Sequence, residues 1–174
     1  MTIPNIIDEL KVLIVDDEPD VLETLAELLN RFDIDTARDF ETASDMLLKQ
    51  RYDLAIFDIM GVQGFDLLVI ANNKKIPSLM LTSHGLTPEN LIASIKGGAY
   101  AYIPKDKIVD IEDFIVDLIN ARKSGQKNEH NWLKKLAPYF DNVFVKNWKN
   151  KDSLFWEQFK QAVNQSRTET EKLF

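Results

Sequence analysis

The chain has 174 residues, a formal net charge of −7 and no cysteine. This length allows one domain with a substantial core and a small appendage, and the missing cysteine excludes disulfides, thiolate catalysis and cysteine-based zinc sites. The negative charge disfavours nucleic acid as a partner of the whole surface, and neither a signal-peptide pattern nor a membrane-length apolar run is visible, so we expect a cytoplasmic protein that binds no membrane.

Short apolar runs alternate with longer amphipathic stretches up to about residue 125. The apolar runs predict buried strands at residues 11–15, 34–38, 53–58, 77–83 and 99–103, of which 34–38 is weak and edge-like. The amphipathic stretches predict helices at residues 20–32, 40–50, 64–73, 87–98 and 107–125. Asp39 is placed to cap the second of these helices. Five repeats of strand and helix predict an α/β fold with a doubly wound, five-stranded parallel sheet.

The composition changes near residue 125. Residues 123–131 are polar and predict a linker, so we divide the chain into a first domain, residues 1–125, and a small α-helical extension, residues 126–174. Residues 128–174 carry a net charge of +2 and nine of the seventeen aromatic residues. This density of rings predicts burial, either against the first domain or against another subunit. We expect two helices in the extension, the first interrupted at Pro138.

Polar side chains stand where the predicted strands end. Asp16 and Asp17 follow the first strand, Asp58 ends the third, Thr82 ends the fourth and Lys105 comes just after the fifth. In doubly wound sheets, ligands bind beyond the carboxyl ends of the strands. If the first and third strands are neighbours, three carboxylates converge on one pocket, with a hydroxyl and an ammonium group nearby.

Such a group of acids favours a divalent cation. Three close carboxylates repel one another, and at least one should titrate with a raised pKa unless a cation is present. Mg²⁺ prefers a few oxygen ligands and keeps several waters, so the acids predict a magnesium site. A metal ion beside a carboxylate, a hydroxyl and a lysine is also suited to phosphoryl transfer, because the cations neutralise phosphoryl oxygens while a carboxylate attacks.

Four segments of the chain resemble the receiver domain of two-component response regulators. They are KVLIVDDEPDVLETL, YDLAIFDIMGVQGFDLL, PSLMLTSHG and GGAYAYIPKD, which together cover about residues 10 to 122 in order. The resemblance implies a CheY-like, flavodoxin-like sheet with strand order 2-1-3-4-5. It also implies a phosphorylation-dependent switch that receives a phosphoryl group from a histidine kinase or phosphotransfer protein and signals through a changed protein–protein surface.

The resemblance further implies a role for each residue of the predicted pocket. Asp58 would become an aspartyl phosphate, and Asp16, Asp17 and Asp58 would bind Mg²⁺ together with the backbone carbonyl of Met60. In this interpretation Asp17 is the more direct ligand of the acid pair.

The same family pattern gives roles to three residues on the later strands. Thr82 would hydrogen-bond the phosphoryl group, and Lys105 would pair with it. Tyr102 matches the aromatic residue that changes rotamer with phosphorylation, and the fourth helix and fifth strand would form the bistable element.

The chain departs from the family pattern near two of these residues. Met60 is followed by Gly61 where the family usually has proline, and Gly64 comes earlier after the phosphoacceptor than the family's glycine. The loop after the third strand is therefore short, which could displace the Met60 carbonyl. Lys105 is followed by Asp106 where a proline is common.

Structural explanations remain open beside these functional ones. Asp17 and the acids after it could simply cap the first helix, and Tyr102 could be a core residue. His84 could be a solvated loop residue or could influence water attack on a phospho-aspartate. Asp58 could be a turn residue, Thr82 an ordinary strand-end residue and Lys105 a solvated lysine.

Two other functions also remain open. One is a Mg²⁺-dependent phosphohydrolase that uses an aspartyl phosphate, although such enzymes place an Asp-x-Asp pattern after the first strand and this chain has adjacent acids there. The other is a degenerate receiver that acts only as a binding module. We expect no enzyme activity on an external substrate. We expect the helical extension to pack on the receiver or to mediate a homodimer, and the last receiver helix is a second candidate for the dimer contact. The extension lacks a recognisable helix-turn-helix, so we expect no nucleic-acid binding.

Overall fold

The computed structural model describes residues 9–125 and 130–171, with side chains as far as residue 164. Residues 1–8, where we saw no signal-peptide pattern, and residues 126–129 of the predicted linker lie outside this range. Among the described residues, no helix combines the length and apolar character needed to cross a membrane. The chain divides into two compact units, Met1–Val116 and Asp117–Phe174. The domain boundary at residue 125 stays a prediction.

The first unit is built on five parallel strands in the order β2-β1-β3-β4-β5, which confirms the predicted fold class and strand order. The strands are β1 (Lys11–Val15), β2 (Asp33–Ala37), β3 (Leu54–Asp58), β4 (Ser78–Thr82) and β5 (Ala101–Pro104). The helices are α1 (Pro19–Leu28), α2 (Phe40–Lys49), α3 (Gly64–Asn73), α4 (Pro88–Lys96) and α5 (Ile111–Lys123). A 3₁₀ helix, Lys105–Asp110, precedes α5, whose last residues belong to the second unit.

Burial and capping explain why these segments form these elements. Every residue of β3 and β4 is buried, as expected for strands covered on both faces, whereas β2 is partly exposed at the sheet edge. The Asp39 side chain accepts a hydrogen bond from the Thr42 backbone N–H at 2.8 Å, which confirms the predicted cap of α2. Thr87 caps α4 by accepting from the Asn90 N–H at 3.1 Å.

The second unit contains α6 (Asn131–Val143), a 3₁₀ helix (Trp148–Asp152) and α7 (Ser153–Glu171). The predicted interruption at Pro138 is wrong, because α6 runs through this residue. A proline inside a helix removes one backbone hydrogen bond. Here the helix buries Trp132, Leu136 and Phe140 along one face, and this packing offsets the missing bond.

Aromatic rings pack on one another inside the second unit. Centroids are 5.2 Å apart for Phe140 and Phe144, 5.0 Å for Phe144 and Trp148, and 5.3 Å for Trp148 and Trp156. Phe159 continues the series 5.8 Å from Trp156. These separations are typical of favourable ring pairs, so the rings of the extension form a local core of their own.

Candidate functional site

The register of the sheet brings the predicted site residues to one edge. β1 pairs with β3 so that Asp16, just after β1, comes level with Asp58 at the end of β3. The same parallel register continues through β4 and β5, where Thr82 pairs with the residue before Lys105. The four side chains therefore start from neighbouring carboxyl ends.

Lys105 is the centre of the ion pairs at this edge. Its Nζ lies 2.7 Å from Asp16 Oδ2, 2.8 Å from Glu18 Oε1 and 3.4 Å from Asp58 Oδ1. The side chains of Asp16, Asp58 and Lys105 are 1%, 7% and 10% exposed, so these charges meet largely out of water. Asp16 is further fixed because its Oδ1 accepts a hydrogen bond from the Glu18 backbone N–H at 2.9 Å.

The buried acids bind protons more readily than ordinary carboxylates. Burial, followed by the negative charge of Asp16, raises the pKa of Asp58 to about 6, although Lys105 partly opposes the shift. Burial also raises the pKa of Asp16 against the opposing hydrogen bond from Lys105. Burial alone would lower the pKa of Lys105, but its hydrogen bonds to Asp16 and Glu18 outweigh burial and raise it. Keeping both acids ionised is therefore unfavourable without further positive charge at the site.

Asp17 lies against the loop that follows β3. A Cβ atom at Gly61 would overlap the Asp17 carboxylate, so the missing side chain at this position lets Asp17 lie against the loop after β3. One carboxylate oxygen from each of Asp16, Asp17 and Glu18 lies within 4.8 Å of the others. These three residues form a group that could hold a cation.

The loop after Asp58 is tightly turned. The Met60 carbonyl accepts a hydrogen bond from the Val62 N–H, and the Met60 residue is 52% exposed. A Cβ atom at Gly64 would overlap the Asp58 carbonyl oxygen. The early glycine is therefore a packing requirement of the short loop, because only a residue without a side chain can approach the Asp58 backbone so closely.

Thr82 carries a buried hydroxyl at the same edge of the sheet. The residue is 1% exposed, and its Oγ1 is buried without a hydrogen-bond partner in the part of the chain that the structure describes. Buried hydroxyl groups are ordinarily paired, so this one is a candidate partner for a water molecule or a bound group. Gly85 lies over this hydroxyl, since a Cβ atom there would be 2.8 Å from Thr82 Oγ1.

Tyr102 connects β5 to the loop that carries Gly85. It is fully buried, its hydroxyl donates to the Gly85 carbonyl at 2.9 Å, and the hydroxyl oxygen accepts from the Thr87 N–H at 3.1 Å. The ring is therefore both a core residue and a hydrogen-bonded support of the β4–α4 loop. His84, on the same loop, is exposed and lies 3.0 Å from Ser83 Oγ through its Nδ1.

Comparison with known proteins identifies the family. Residues 12–116 match the family described as "Response regulator receiver domain". The chain belongs to this receiver family. Residues 12–116 are accordingly a receiver domain, the phosphorylation-dependent switch domain of two-component response regulators, and the hydrolase and binding-only alternatives are not favoured.

Individual relatives agree with this assignment. The receiver is 30% identical over 138 residues to the transcriptional regulatory protein RprY of Bacteroides fragilis, which covers 76% of this chain and 58% of the relative. It is 34% identical over 101 residues to the response regulator protein PilR of Pseudomonas aeruginosa, covering 55% of this chain and 22% of the relative. A Francisella response regulator receiver domain superposes with a TM-score of 0.57 at 25% identity, covering 66% of this chain and 98% of that structure.

The chain matches only part of the length of these curated relatives. The alignments span 58% of RprY and 22% of PilR. The similarity therefore concerns the switch domain, and what the rest of each relative does is not carried over.

Sequence reasoning missed two features of the receiver site. The first is the ion pair of Glu18 with Lys105, since the sequence pattern pointed only to helix capping; the run of three acids from Asp16 was the available signal. The second is the close approach of Gly61 and Gly64 to the acids, which depends on the folded loop and leaves no local signal beyond the glycines themselves.

Proposed function

We propose that Asp58 is the phosphoacceptor of this receiver. The observation that carries the proposal is the meeting of the buried Asp58 carboxylate, the Lys105 ammonium at 3.4 Å and the unpaired Thr82 hydroxyl at one edge of the sheet. With a pKa of about 6, Asp58 is largely ionised at neutral pH and can act as a nucleophile. Lys105 and Thr82 supply one cation and one donor for phosphoryl oxygens.

The phosphoryl group comes from a phosphohistidine of a histidine kinase or a phosphotransfer protein, the partners that response regulators use. A carboxylate oxygen of Asp58 attacks phosphorus, and the phosphorus–nitrogen bond breaks. The imidazole leaves with the bonding electron pair and takes up a proton. This chain contributes positioning and charge, so we propose no activity on an external substrate.

Mg²⁺ fits the acidic part of the site. Receiver domains generally use this ion at an acidic cluster, and here carboxylate oxygens of Asp16, Asp17 and Glu18 lie within 4.8 Å of one another. We propose that Asp16, Asp17 and Asp58 would hold the ion together with the Met60 carbonyl, which is an oxygen-only donor set. The raised pKa values of Asp16 and Asp58 fit this assignment, because a divalent cation offsets the cost of burying their charges. When bound, the ion neutralises negative charge on the acids and on the entering phosphoryl group. Glu18 is a further acid within reach.

Signalling is proposed to pass from Thr82 to Tyr102. A phosphoryl group that accepts a hydrogen bond from the Thr82 hydroxyl would shift the β4–α4 loop at Gly85, which lies close to that hydroxyl. The Gly85 carbonyl accepts a hydrogen bond from the Tyr102 hydroxyl, so the shift would reach Tyr102. A change in this loop alters the surface made by α4 and β5. The output is proposed to be protein contact, with a homodimer through the extension or through α5, and not nucleic-acid binding.

Intact-mass analysis after incubation with Mg²⁺ and acetyl phosphate tests the phosphoacceptor. The wild-type chain should gain the mass of one phosphoryl group, and Asp58→Asn should gain none. Asp66→Asn removes an exposed acid from the first turn of α3 and should behave as wild type.

Two results would overturn the assignment. A wild-type chain that acquires no phosphoryl group would favour the binding-only alternative, and an Asp58→Asn chain that still acquires one would place the acceptor elsewhere. Gel filtration of the same samples tests whether phosphorylation changes a dimer.

A further inference from the structure

The second unit contains a pocket that phosphorylation chemistry does not use. Its volume is about 530 Å³, and the residues that line it come from α6, the second 3₁₀ helix and the first half of α7. Pockets of about 300–1,000 Å³ are the usual size for small-molecule sites in proteins. The pocket is therefore large enough to hold one compact ligand.

The walls of the pocket are aromatic and held in place. Trp148 and Trp156 meet edge to face with centroids 5.3 Å apart, and Phe159 lies 5.8 Å from Trp156. The Trp148 indole N–H donates to Asp141 Oδ1 at 3.1 Å, which fixes the first ring. A rigid apolar wall can accept a flat or aliphatic group without being reorganised first.

The rim of the pocket is positive, although the whole chain carries −7. Lys134, Lys149 and Lys160 are exposed and line the pocket, and Glu157 is the only acid among the described residues that line it. Lys149 Nζ lies 5.1 Å from the centroid of the Trp148 ring. Among the side chains described up to residue 164, none of the three lysines pairs with a carboxylate. The charge at the rim is thus available to an anion.

The aromatic wall also contains an unused donor. Trp156 is 6% exposed, and its Nε1 is buried without a hydrogen-bond acceptor in the described part of the chain. Buried indole N–H groups usually find an acceptor, and leaving one unpaired is unfavourable. Because this nitrogen has almost no solvent-exposed surface, a ligand in the pocket would contact the ring of Trp156 and not its N–H.

We propose that this pocket binds a small amphipathic anion. An aromatic or aliphatic body packs against Trp148, Trp156 and Phe159, and a carboxylate, sulfonate or phosphate group lies at the lysine rim. The combination of an apolar floor with a cationic rim selects this class over neutral apolar molecules and over small inorganic anions. The inference does not depend on the phosphorylation of Asp58.

Two fluorescent probes of the same shape test the charge requirement in the full-length chain. 8-Anilinonaphthalene-1-sulfonate has an apolar body with an anionic group, and N-phenyl-1-naphthylamine has the same body without the charge. The wild-type chain should bind one sulfonate probe per chain, saturably, and decanoate should displace it. A triple variant, Lys134→Gln with Lys149→Gln and Lys160→Gln, should bind the sulfonate roughly tenfold more weakly, since each exposed charge contributes modestly. Its affinity for the uncharged probe should stay within about twofold of wild type.

A matched triple variant controls for net charge. Lys123, Lys146 and Lys151 are exposed lysines of the same unit that do not line the pocket. Changing all three to Gln should leave the affinity for the sulfonate within about twofold of wild type. Ala137→Phe, which adds a ring at the pocket wall, should weaken both probes if circular dichroism shows an unchanged helix content.

Four outcomes would overturn the proposal. Equal loss of sulfonate binding in the two triple variants would mean a general charge effect, and several equivalent probes per chain would mean an unspecific apolar surface. Undiminished binding by a folded Ala137→Phe chain would place the probe elsewhere. If probe binding is lost at the chain concentrations where gel filtration shows a dimer, the pocket is covered by a second copy of the chain and is not a ligand site.

Discussion

Removing the charge of Asp58 should stabilise the metal-free receiver at neutral pH. The folded pKa is about 6, against an ordinary value of 3.8, so the unfolded chain releases this proton more readily than the folded one. The free energy of unfolding therefore falls as the pH rises from about 4 to about 6. Above that range the loss has reached its full size and no longer changes with pH. A difference of about two pKa units corresponds to about 3 kcal/mol at pH 7.5. At pH 4.5 the same difference leaves only about 1 kcal/mol.

The assay is urea unfolding followed by far-ultraviolet circular dichroism with a chelator present. Asp58→Asn should unfold at a higher urea concentration than wild type at pH 7.5, and its free energy of unfolding should be higher by up to about 3 kcal/mol. The opposing effect of Lys105 is already contained in the pKa of about 6. The gain should shrink at pH 4.5, and Asp66→Asn should shift neither curve by more than about 0.5 kcal/mol. An Asp58→Asn chain that gains nothing at pH 7.5, or gains equally at both pH values, would refute the argument that buried charge raises this pKa.

Three further perturbations address other parts of the site. Gly61→Ala should weaken Mg²⁺ binding, measured by calorimetry, because its Cβ would displace the Asp17 carboxylate; an unchanged affinity would remove Asp17 from the ligand set. Tyr102→Phe should lower the free energy of unfolding by about 1–3 kcal/mol, since it leaves polar backbone groups at Gly85 and Thr87 unpaired, and it should still accept phosphate at Asp58. Lys105→Met should abolish phosphoryl acceptance and should destabilise the chain more at pH 8 than at pH 5, where Asp58 is protonated; equal destabilisation at both pH values would contradict the ion-pair role.

Local sequence was sufficient for the elements whose burial is uniform. The continuous apolar runs before Asp16 and Asp58 predicted β1 to the residue and β3 to within one residue, because a strand covered on both faces needs no polar position. The predicted helix at 64–73 also has the observed bounds. The predicted first helix, 20–32, extends past the observed end at Leu28, since apolar spacing continues into the following turn.

The site was predictable where topology alone decides position. Parallel strands put Asp16, Asp58 and Lys105 at one edge, and the sequence placed each of them at a strand end. The contacts that depend on tertiary approach were not predictable, such as Glu18 reaching Lys105 or the Asp58 carbonyl closing on Gly64. The error at Pro138 has the opposite cause, because a local rule about proline was overridden by the burial of one face of α6.

The distribution of indole rings gives the chain an internal reporter. All three tryptophans, Trp132, Trp148 and Trp156, lie in the second unit, whereas the proposed phosphoacceptor lies in the first. Tryptophan fluorescence, excited at the red edge of the tryptophan absorption band, therefore reports on the extension alone. A change in that emission on addition of acetyl phosphate would be a direct optical record of information passing out of the receiver, without any attached dye.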